Sequence, residues 1–470
     1  MYLKKVFITN VYFEKKIPLR SKKIKPTILS EKLFMKKIPF ILLISISVLA
    51  LFHPSLPTKI VTEGINTADV AWILTSTALV MFMTPGLAFF YGGMVNYKNI
   101  ISTMLQSFIC MGVISIVWVV VGFSIAFGSS YGGIMGDPTE YFMFSGVLDS
   151  KPWSLAPTIP LALFALFQLK FAIITPALIT GSFSERIKFT SYVLFICLFS
   201  VFIYAPLAHW AWHPEGWLFK LGVLDFAGGT VVHISAGCAA LAAALYLGKK
   251  KERSEQHDPA NIPFVLIGTG MLWFGWFGFN AGSALGSGTL AATAFATTNT
   301  AAAAAGLAWV FFDSAVRRKK PSAMGFCIGA VVGLVAITPA AGFVGIPHSI
   351  FIGTCASIIS NLIVGWRAKS SLDDTLDVFP CHGVGGMTGM LLTGVFASKL
   401  INPAVTQEGF ANGGGYELFL KHVFALVVVS AFAFFGSLLL LKITDLISPL
   451  RVSDEDRKIG LDITQHGEEC

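Results

Sequence analysis

The sequence predicts an all-α polytopic membrane protein with eleven transmembrane helices, and three observations lead to this prediction. Of the 470 residues, 54% are hydrophobic and only 13% are charged, about half the charged fraction of a typical soluble domain. Eleven apolar segments follow one another along the chain, and basic residues concentrate in every second loop between them. This composition excludes an ordinary water-soluble enzyme, and also an intrinsically disordered chain.

The basic charge of the chain belongs mostly to its first residues. The formal net charge is +8, and residues 1–37 alone hold eleven Lys or Arg and two Glu. The rest of the chain is close to neutral, so the sequence predicts no nucleic-acid partner. Residues 1–34 are a basic amino-terminal extension that resembles neither a signal nor a domain, which makes Met35 a candidate for the true start.

Residues 35–60 resemble a secretory signal peptide. Two lysines follow Met35, and a 15-residue apolar run from 38 to 52 comes next. The run is shorter than the roughly 20 residues of a spanning helix, and no clean small-residue cleavage site follows it. Whether this segment is cleaved or retained, it places the amino end of the mature chain outside.

The eleven apolar segments determine the predicted topology. They cover residues 68–94, 100–127, 157–182, 189–208, 226–248, 261–284, 290–313, 322–340, 345–366, 379–398 and 420–446. Alternate loops hold thirteen Lys or Arg residues, whereas the other loops hold only Lys151, Lys220, Lys399 and, at the rim, Lys421. The positive-inside rule then predicts a cell (inner) membrane protein whose tail, residues 447–470, is cytoplasmic.

The fifth and tenth segments begin alike, which predicts an internal repeat. Asp225 precedes His233 in one, and Asp377 precedes His382 in the other. Because five is an odd number, two copies of a five-helix unit must face opposite ways in the membrane. Inverted repeats of this kind are common in transporters, where the substrate site lies between the halves. We therefore predict an inverted five-helix repeat around a central pore.

The two histidines are the first candidates for chemistry. Each lies several residues inside an apolar segment, where an ionisable group usually has a function. A neutral imidazole satisfied by a backbone carbonyl is the alternative for either one alone, but a facing pair predicts a polar line through an apolar pore. The pair has no third ligand at metal-binding spacing, and the seven cysteines form no CxxC pattern. We therefore predict no metal, no cofactor and no disulfide framework; no nucleophile–base pair indicates an enzyme.

Aromatic residues near the outer ends of the segments are the second set of candidates. Trp212 and Phe171 lie near the outer ends of the fourth and third segments, and Ser283 ends the sixth. Aromatic faces attract a cation by about 0.5–2 kcal/mol, which favours a cation site at the outer mouth. Each ring taken alone is equally explained as an interfacial anchor or a packing residue.

Several motifs resemble the ammonium transporter (Amt/Mep/Rh) family. They are residues 83–93 (MTPGLAFFYGG), 225–233 (DFAGGTVVH), 275–283 (GWFGFNAGS), 377–383 (DVFPCHG), 460–462 (GLD) and 466–468 (HGE). The resemblance covers about residues 66–468, and Trp212 favours the Amt branch over an Rh-like channel for ammonia or carbon dioxide. It implies that residues 66–446 are an ammonium transporter domain and that the protein is a homotrimer with one pore per subunit.

The resemblance also implies roles for the outer residues. Trp212, Phe171 and Ser283 resemble the site that recruits ammonium, where cation–π attraction and a hydroxyl replace water. Asp225 resembles a buried carboxylate that supports the cation, although its position makes a helix N-cap an equally good interpretation. Lys170 departs from the family pattern: facing lipid it would extend outward, and facing the vestibule it would weaken recruitment.

Further inside, Phe171 and Phe279 resemble stacked rings that gate the pore, and His233 and His382 resemble paired pore histidines. A bare ion in a medium of low dielectric costs of order 20 kcal/mol, so we expect ammonium to lose its proton and ammonia to cross. Whether the proton follows by another route stays open at this point. An ammonium sensor with little conduction is the alternative function.

The tail has two interpretations. By resemblance, it packs beneath the pore mouth and meets a PII-type signal protein at the cytoplasmic face. A solvated tail without a partner is the alternative.

Overall fold

A computed structural model describes residues 26–53, 55–59, 61–249 and 258–470. The predicted extension up to residue 25 and the predicted basic loop residues 250–253 lie outside these ranges. The chain divides into two compact units, one ending at Phe52 and the other running from His53 to Cys470. In the first unit, the described helix α1 (Pro26–Phe52) contains the apolar run of the signal-like segment.

The second unit is mostly helical. Its α-helices are α2 (Thr67–Met94), α3 (Ile100–Val117), α4 (Phe123–Phe127), α5 (Leu161–Phe183), α6 (Phe189–Phe199), α7 (Ala205–Trp212), α8 (Trp217–Leu221), α9 (Ser235–Leu247), α10 (Ile262–Trp276), α11 (Thr289–Ala315), α12 (Ala323–Ile337), α13 (Ile346–Lys369), α14 (Gly385–Phe396), α15 (Glu417–Ile447) and α16 (Asp454–Ile459). Two short strands, β1 (Ser130–Tyr131) and β2 (Met135–Gly136), form an antiparallel hairpin with Ser130 opposite Gly136.

Wider turns with i→i+5 hydrogen bonds interrupt or extend several helices. These π-helical turns are Trp118–Gly122, Ser200–Tyr204, Gly229–Ile234, Phe277–Ala281, Phe379–Val384 and Asp462–His466. Short 3₁₀ turns occupy Tyr97–Asn99, Phe142–Phe144 and Phe410–Asn412. π-helical turns occur frequently at functional sites, and three of them carry His233, Phe279 and His382. The other predicted gate residue, Phe171, lies on α5.

Within the described residues, nine helical stretches are long and apolar enough to cross a membrane. They are Thr67–Met94, Tyr97–Phe127, Leu161–Phe183, Phe189–Leu221, Gly229–Leu247, Ile262–Ala281, Thr289–Ala315, Ile346–Lys369 and Glu417–Ile447. The predicted segment 322–340 contains only the shorter helix α12. Residues 379–396 are helical as well, but His382 and several glycines lower their hydropathy. The structure therefore supports a polytopic helical protein without confirming the count of eleven.

Local sequence signals explain where the helices begin and how closely they pack. The side chains of Asn66, Asn261 and Ser322 accept backbone N–H groups at the starts of α2, α10 and α12, as N-cap residues do. Helices α2 and α10 cross at Gly268, where a Cβ atom would lie 2.4 Å from the backbone nitrogen of Phe90. Small residues at such crossings provide close packing where lipid gives helices no hydrophobic drive to associate.

The carboxyl-terminal tail docks against the second unit. The Asp462 carboxylate accepts the backbone N–H groups of Ile101 at 3.1 Å and Ser102 at 2.7 Å, at the start of α3. Arg451 donates to the carbonyl of Leu247 at the end of α9. Burial raises the pKa of the Asp462 carboxyl, while the backbone N–H groups oppose that rise. These contacts hold the tail on the protein surface.

Candidate functional site

The predicted outer residues meet in one vestibule. Trp212 at the end of α7, Phe171 on α5, Ser283 after the π-helical turn Phe277–Ala281, and Asp225 before α9 all line an open cavity with about 740 Å³ of empty volume. The rings of Trp212 and Phe171 stand edge to face, with centroids 5.8 Å apart and planes at 80°. Four elements distant in sequence thus supply one site.

Hydrogen bonds fix the orientations of Trp212 and Ser283 in this vestibule. The Trp212 indole N–H donates to the backbone carbonyl of Asp225 at 3.0 Å, so its ring orientation is set by the chain that leads into α9. The Ser283 hydroxyl donates to the carbonyl of Phe279 at 2.8 Å. Because a hydroxyl keeps its acceptor lone pairs after donating, Ser283 remains able to accept an N–H from a bound solute.

Two phenyl rings separate the vestibule from the space beneath it. Phe171 lines the vestibule, and Phe279 lines the next cavity inward. Their centroids lie 4.3 Å apart with planes at 41°, and both side chains are buried. A passing solute must displace these rings, which is the geometry expected of a gate.

The inner cavity is narrow and mainly apolar. Its lining residues are Met83, Leu87, Phe90, Ile174, Leu178, His233, Leu272, Trp276, Phe279, Val331 and His382. The two imidazoles are the polar groups of this lining. We call this cavity the channel.

The histidines form a direct pair in the channel. The Nδ1 atoms of His233 and His382 lie 3.4 Å apart, and the ring planes differ by 25°. One Nδ1 must donate and the other accept, so the pair shares one proton between these atoms. Two neutral imidazoles in that arrangement leave one Nε2 as a donor and the other as an acceptor. Among the described residues, His233 Nε2 has no hydrogen-bond partner.

Glycines let the two histidine-bearing segments approach each other. His233 and His382 lie on the π-helical turns Gly229–Ile234 and Phe379–Val384, which lead directly into α9 and α14. A Cβ atom on Gly237 would lie 2.3 Å from both Cα and N of Gly383. The backbones therefore touch one turn from His233, which brings the imidazoles within reach of each other.

Asp225 caps the helix that carries His233. Its carboxylate accepts the backbone N–H groups of Gly228 at 2.8 Å, Gly229 at 2.6 Å and Thr230 at 2.8 Å, as well as the Thr230 hydroxyl. The capping interpretation therefore matches the contacts. Because the residue also lines the vestibule, its negative charge remains near any cation bound there.

In the second half of the predicted repeat, a different aspartate caps the segment that carries His382. Asp374 accepts the backbone N–H of Phe379 at 2.7 Å, whereas Asp377 forms a bidentate ion pair with Arg367 at 2.7 and 2.8 Å. Burial raises the pKa of the Asp377 carboxyl to about 6, although Arg367 opposes that rise. By contact, the counterpart of Asp225 is thus Asp374 rather than Asp377, the aspartate that the similar openings of the two segments suggested.

Two lining residues were missed by sequence reasoning. Trp276 stacks on His233, with centroids 5.4 Å apart and planes at 22°, and its indole N–H donates to Thr338. Gln168 lines the vestibule one helical turn before Phe171. The sequence held a signal for each residue. Trp276 lies inside the quoted motif 275–283, and Gln168 precedes Phe171 by three residues, so the two share one helix face.

Lys170 does not line the vestibule. Its side chain is partly exposed, and it lies on the same face of α5 as the partly exposed Ala162 and the exposed Leu166. This placement corresponds to the outward-facing alternative. Among the described residues, no group of three or more His, Cys, Asp or Glu could hold a metal ion.

Comparison with known families agrees with this geometry. The model of the Ammonium Transporter Family matches residues 71–470, which is most of the chain. The chain belongs to this family. With the nine apolar helices, membership makes it a multi-pass membrane protein.

Individual relatives give the same result. The chain is 44% identical over 406 residues to a putative ammonium transporter of Methanothermobacter thermautotrophicus, covering 86% of this chain and 98% of that one. It is 43% identical over 401 residues to the ammonium transporter Amt1 of Archaeoglobus fulgidus, with coverages of 85% and 98%. These matches support ammonium transport as the general function.

Solved structures share the fold. The crystal structure of Candida albicans Mep2 matches with a TM-score of 0.79 at 34% identity, covering 84% of this chain and 88% of that chain. A protein described as a sensor Amt protein matches with a TM-score of 0.77 at 30% identity, with coverages of 85% and 98%. The family therefore includes a relative named for sensing as well as relatives named for transport.

Proposed function

We propose that the protein takes up ammonium by binding the cation in the vestibule, removing its proton near the phenyl gate and conducting ammonia along the histidine pair. The observation that carries this proposal is the order of the parts. An aromatic, polar-edged vestibule is separated by Phe171 and Phe279 from a narrow channel whose polar groups are two imidazoles. Each part suits one form of the substrate.

The vestibule suits the charged form. The face of a tryptophan attracts a cation by about 0.5–2 kcal/mol, and more when water is excluded. Ser283 offers a hydroxyl oxygen as an acceptor, and the carboxylate of Asp225 lies behind the site. Together these groups replace part of the hydration shell of ammonium without binding it in a closed cage.

The channel suits the neutral form. Moving a monovalent ion into an apolar medium costs of order 20 kcal/mol before any compensation, and the channel lining supplies no carboxylate. Ammonia can accept a hydrogen bond from one imidazole Nε2 and donate to the other. The shared Nδ1 proton of His233 and His382 keeps one nitrogen of each kind available, so the pair is matched to ammonia.

We further propose that eleven spans form an inverted five-helix repeat in the cell (inner) membrane. The basic loops favour a cytoplasmic tail and an outer vestibule, and the crossing at Gly237 and Gly383 lies where the two halves meet. A homotrimer with one channel per subunit is the assembly implied by the family resemblance.

The experiment that tests this function uses full-length protein in liposomes given a pulse of ammonium. A current that saturates with ammonium and is absent with potassium indicates selective electrogenic transport. Absence of current with a lumen that turns alkaline indicates electroneutral ammonia passage, which also agrees with the proposed channel. If neither a current nor an alkaline lumen is observed, the conduction proposal is overturned.

Sensing is the second candidate function, favoured by the structural match to a sensor Amt protein. A sensor would bind ammonium in the same vestibule but conduct little. Saturable ammonium binding without current or lumenal pH change in the liposome experiment would place this candidate first.

The docked tail suggests where regulation acts. Asp462 and Arg451 attach it to the start of α3 and the end of α9, and we propose that a PII-type signal protein meets it at the cytoplasmic face. Deletion of residues 452–470 should abolish PII binding or alter transport. Unaltered transport together with unaltered PII binding would exclude a regulatory tail.

A further inference from the structure

A buried histidine outside both cavities bridges two backbone groups. His422 lies on α15, and its side chain is fully buried. Its Nδ1 atom lies 2.7 Å from the carbonyl oxygen of Met390 on α14, and its Nε2 atom lies 3.1 Å from the backbone nitrogen of Leu224. One imidazole on a third helix thus connects α14 to the chain segment that precedes Asp225.

The two backbone partners determine the protonation state of this ring. A carbonyl oxygen only accepts a hydrogen bond and a backbone N–H only donates one, so Nδ1 must carry the proton and Nε2 must offer its lone pair. The contacts therefore require the neutral imidazole in one tautomer. A protonated ring carries N–H groups at both nitrogens, and its Nε2–H would face the Leu224 N–H, which cannot accept a hydrogen bond.

The Leu224 end of the bridge belongs to the vestibule. Leu224 lines the vestibule, and the next residue is Asp225. The Asp225 carbonyl accepts the Trp212 indole N–H, and its carboxylate accepts backbone N–H groups at the start of the π-helical turn that carries His233. The position of this backbone therefore affects both the indole ring of the vestibule and the segment that carries His233.

The Met390 end of the bridge belongs to the second half of the predicted repeat. Met390 lies on α14, which continues directly from the π-helical turn that carries His382. α14 and α15 pack closely beside the bridge, because a Cβ atom on Gly394 would lie 2.9 Å from Cα of Phe419 and 3.4 Å from Cγ of His422. The neutral ring therefore ties the edge of the vestibule to the helix that follows His382.

The charged groups near this bridge have other partners or lie on neighbouring elements. α14 carries no charged residue, the Asp225 carboxylate binds the helix start, and Glu417 and Lys421 of α15 pair with each other at 2.7 Å. Neighbouring elements also carry Lys220 on α8, His233 before α9, and Lys399 and Glu408 between α14 and α15. In the described part of the chain, none of these groups forms an ion pair with His422. The two backbone contacts therefore decide which protonation state the fold accepts.

We infer that His422 is a positioning residue for the vestibule and that its protonation sets the acid limit of ammonium binding. The neutral ring holds the Leu224 backbone in place, whereas the protonated ring releases it, so that Asp225 and Trp212 lose their fixed positions. This inference rests on the proposed function and deepens it, because it concerns the regulation of the outer site by pH. An imidazole suits this role because it is the side chain that ordinarily changes charge near neutral pH.

Two substitutions separate the bridge from its titration. His422→Gln keeps an acceptor oxygen for the Leu224 N–H and a donor N–H for the Met390 carbonyl, in a side chain that does not titrate. We expect it to bind ammonium with the parental Kd at about pH 8, whereas at about pH 4 the Kd of the unsubstituted protein should exceed that of the variant about threefold to thirtyfold. Acid effects of other groups, such as Asp225, remain in both proteins, so the ratio of the two Kd values isolates His422. His422→Leu removes both hydrogen bonds, and its Kd should be raised at every pH.

His209 provides the matched control. It is also a fully buried histidine with a partner at each ring nitrogen, since Nδ1 lies 3.0 Å from the Ala126 carbonyl oxygen and Nε2 lies 2.8 Å from the Ser130 hydroxyl. A hydroxyl can accept as well as donate, so protonation of this ring leaves both contacts satisfied. His209→Gln should therefore keep the acid response of the unsubstituted protein.

Calorimetric titration of ammonium into the purified full-length proteins in detergent gives each Kd, and the thermal unfolding midpoint at each pH shows whether the protein is folded. Structures of the unsubstituted protein at about pH 8 and about pH 4 decide the matter if a variant does not fold, because the contact between Leu224 N and His422 Nε2 should open at the lower pH.

Four results would overturn the inference: one pH profile shared by the unsubstituted protein and His422→Gln, a parental Kd in His422→Leu, loss of the acid response in His209→Gln, or a Leu224 contact that persists at the lower pH. Absence of ammonium binding by the unsubstituted protein would overturn the proposed function and this inference together. If the expected pH profiles occur in a protein that binds ammonium but does not conduct, the conduction proposal fails and the role of His422 stands.

Discussion

The vestibule and the channel are built from the same kinds of side chain but differ in what covers their aromatic rings. In the vestibule, the rings of Trp212 and Phe171 border a wide space with polar acceptors at its edge. In the channel, Trp276 and Phe279 stack at small angles against His233, so their faces are covered by an imidazole. Under the proposed mechanism, a ring with an open face recruits the cation, and a ring covered by an imidazole insulates the channel against it.

The histidine pair gives the sharpest test of this contrast. Replacing His382 by Ala removes the partner of His233 Nδ1 and leaves a buried polar atom unpaired, which costs about 1–3 kcal/mol. Because about 1.4 kcal/mol corresponds to a tenfold change in rate, we expect ammonia conduction to fall about fivefold to a hundredfold or more, or to be replaced by ion leakage. His233→Ala should behave alike. Liposome current and lumenal pH measure both outcomes.

His348 serves as the control for these variants. Its imidazole stacks on Phe396 with centroids 4.6 Å apart, and it does not line the channel. His348→Ala should conduct as the parent does. Unchanged ammonium selectivity and rate in both channel variants would exclude the assigned role of the pair.

The glycine crossing tests whether the channel depends on close backbone contact. Gly237→Ala places a methyl group 2.3 Å from the Gly383 backbone, and overpacking of this kind costs about 1–3 kcal/mol. We expect a lower unfolding midpoint and weaker conduction, since the two imidazoles must separate, while ammonium binding in the vestibule persists. Gly112→Ala is the matched control, because its Cβ would have no neighbour within 4 Å. Equal effects of the two substitutions would contradict this dependence.

The sequence predicted most of the helices around the vestibule and the channel, because composition and periodicity indicate which segments contact lipid. All eleven predicted segments contain helix, yet α12 is too short to count as a span, and His382 and several glycines lower the hydropathy of residues 379–396. Contacts across the fold were harder to predict. Asp377 has a φ of 57°, and Arg367 on α13 takes its carboxylate, so the capping role belongs to Asp374.

The candidate site also divides into features that the sequence predicted and contacts that only the structure revealed. The predicted outer residues and the two histidines line the vestibule and the channel. Asp225, Ser283 and the histidines belong to contiguous motifs, whereas Trp212 and Phe171 lie outside the quoted motifs. The crossing at Gly237, the stacking of Trp276 and the bridge made by His422 depend on which helix faces lie inward. Neighbouring positions in one sequence do not reveal such long-range packing.

Substitution of Asp225 tests whether its carboxylate acts mainly as a charge near the bound cation or as a cap for the helix that carries His233. Asp225→Asn leaves one acceptor oxygen for several backbone N–H groups, and loss of a cap typically costs about 0.5–2 kcal/mol. We expect a lower unfolding midpoint with a smaller effect on ammonium affinity, because both carboxylate oxygens already bind the helix start. Thermal unfolding and calorimetric binding of one preparation compare the two effects. A large loss of affinity at unchanged stability would instead assign Asp225 to the cation.

The effect expected at Trp212 is no larger than the effect at Asp225, and it separates recruitment from conduction. Trp212→Leu keeps an apolar wall but removes the aromatic face, so we expect ammonium affinity to fall about twofold to thirtyfold, matching about 0.5–2 kcal/mol of cation–π attraction. At saturating ammonium, transport should approach the parental rate, because the channel beneath Phe279 is untouched. Trp217→Leu is the control, since Trp217 packs against Trp210 outside the vestibule lining. Loss of the maximal rate in Trp212→Leu at unchanged affinity would mean that the ring positions the gate, and the division between a binding vestibule and an insulating channel would then fail.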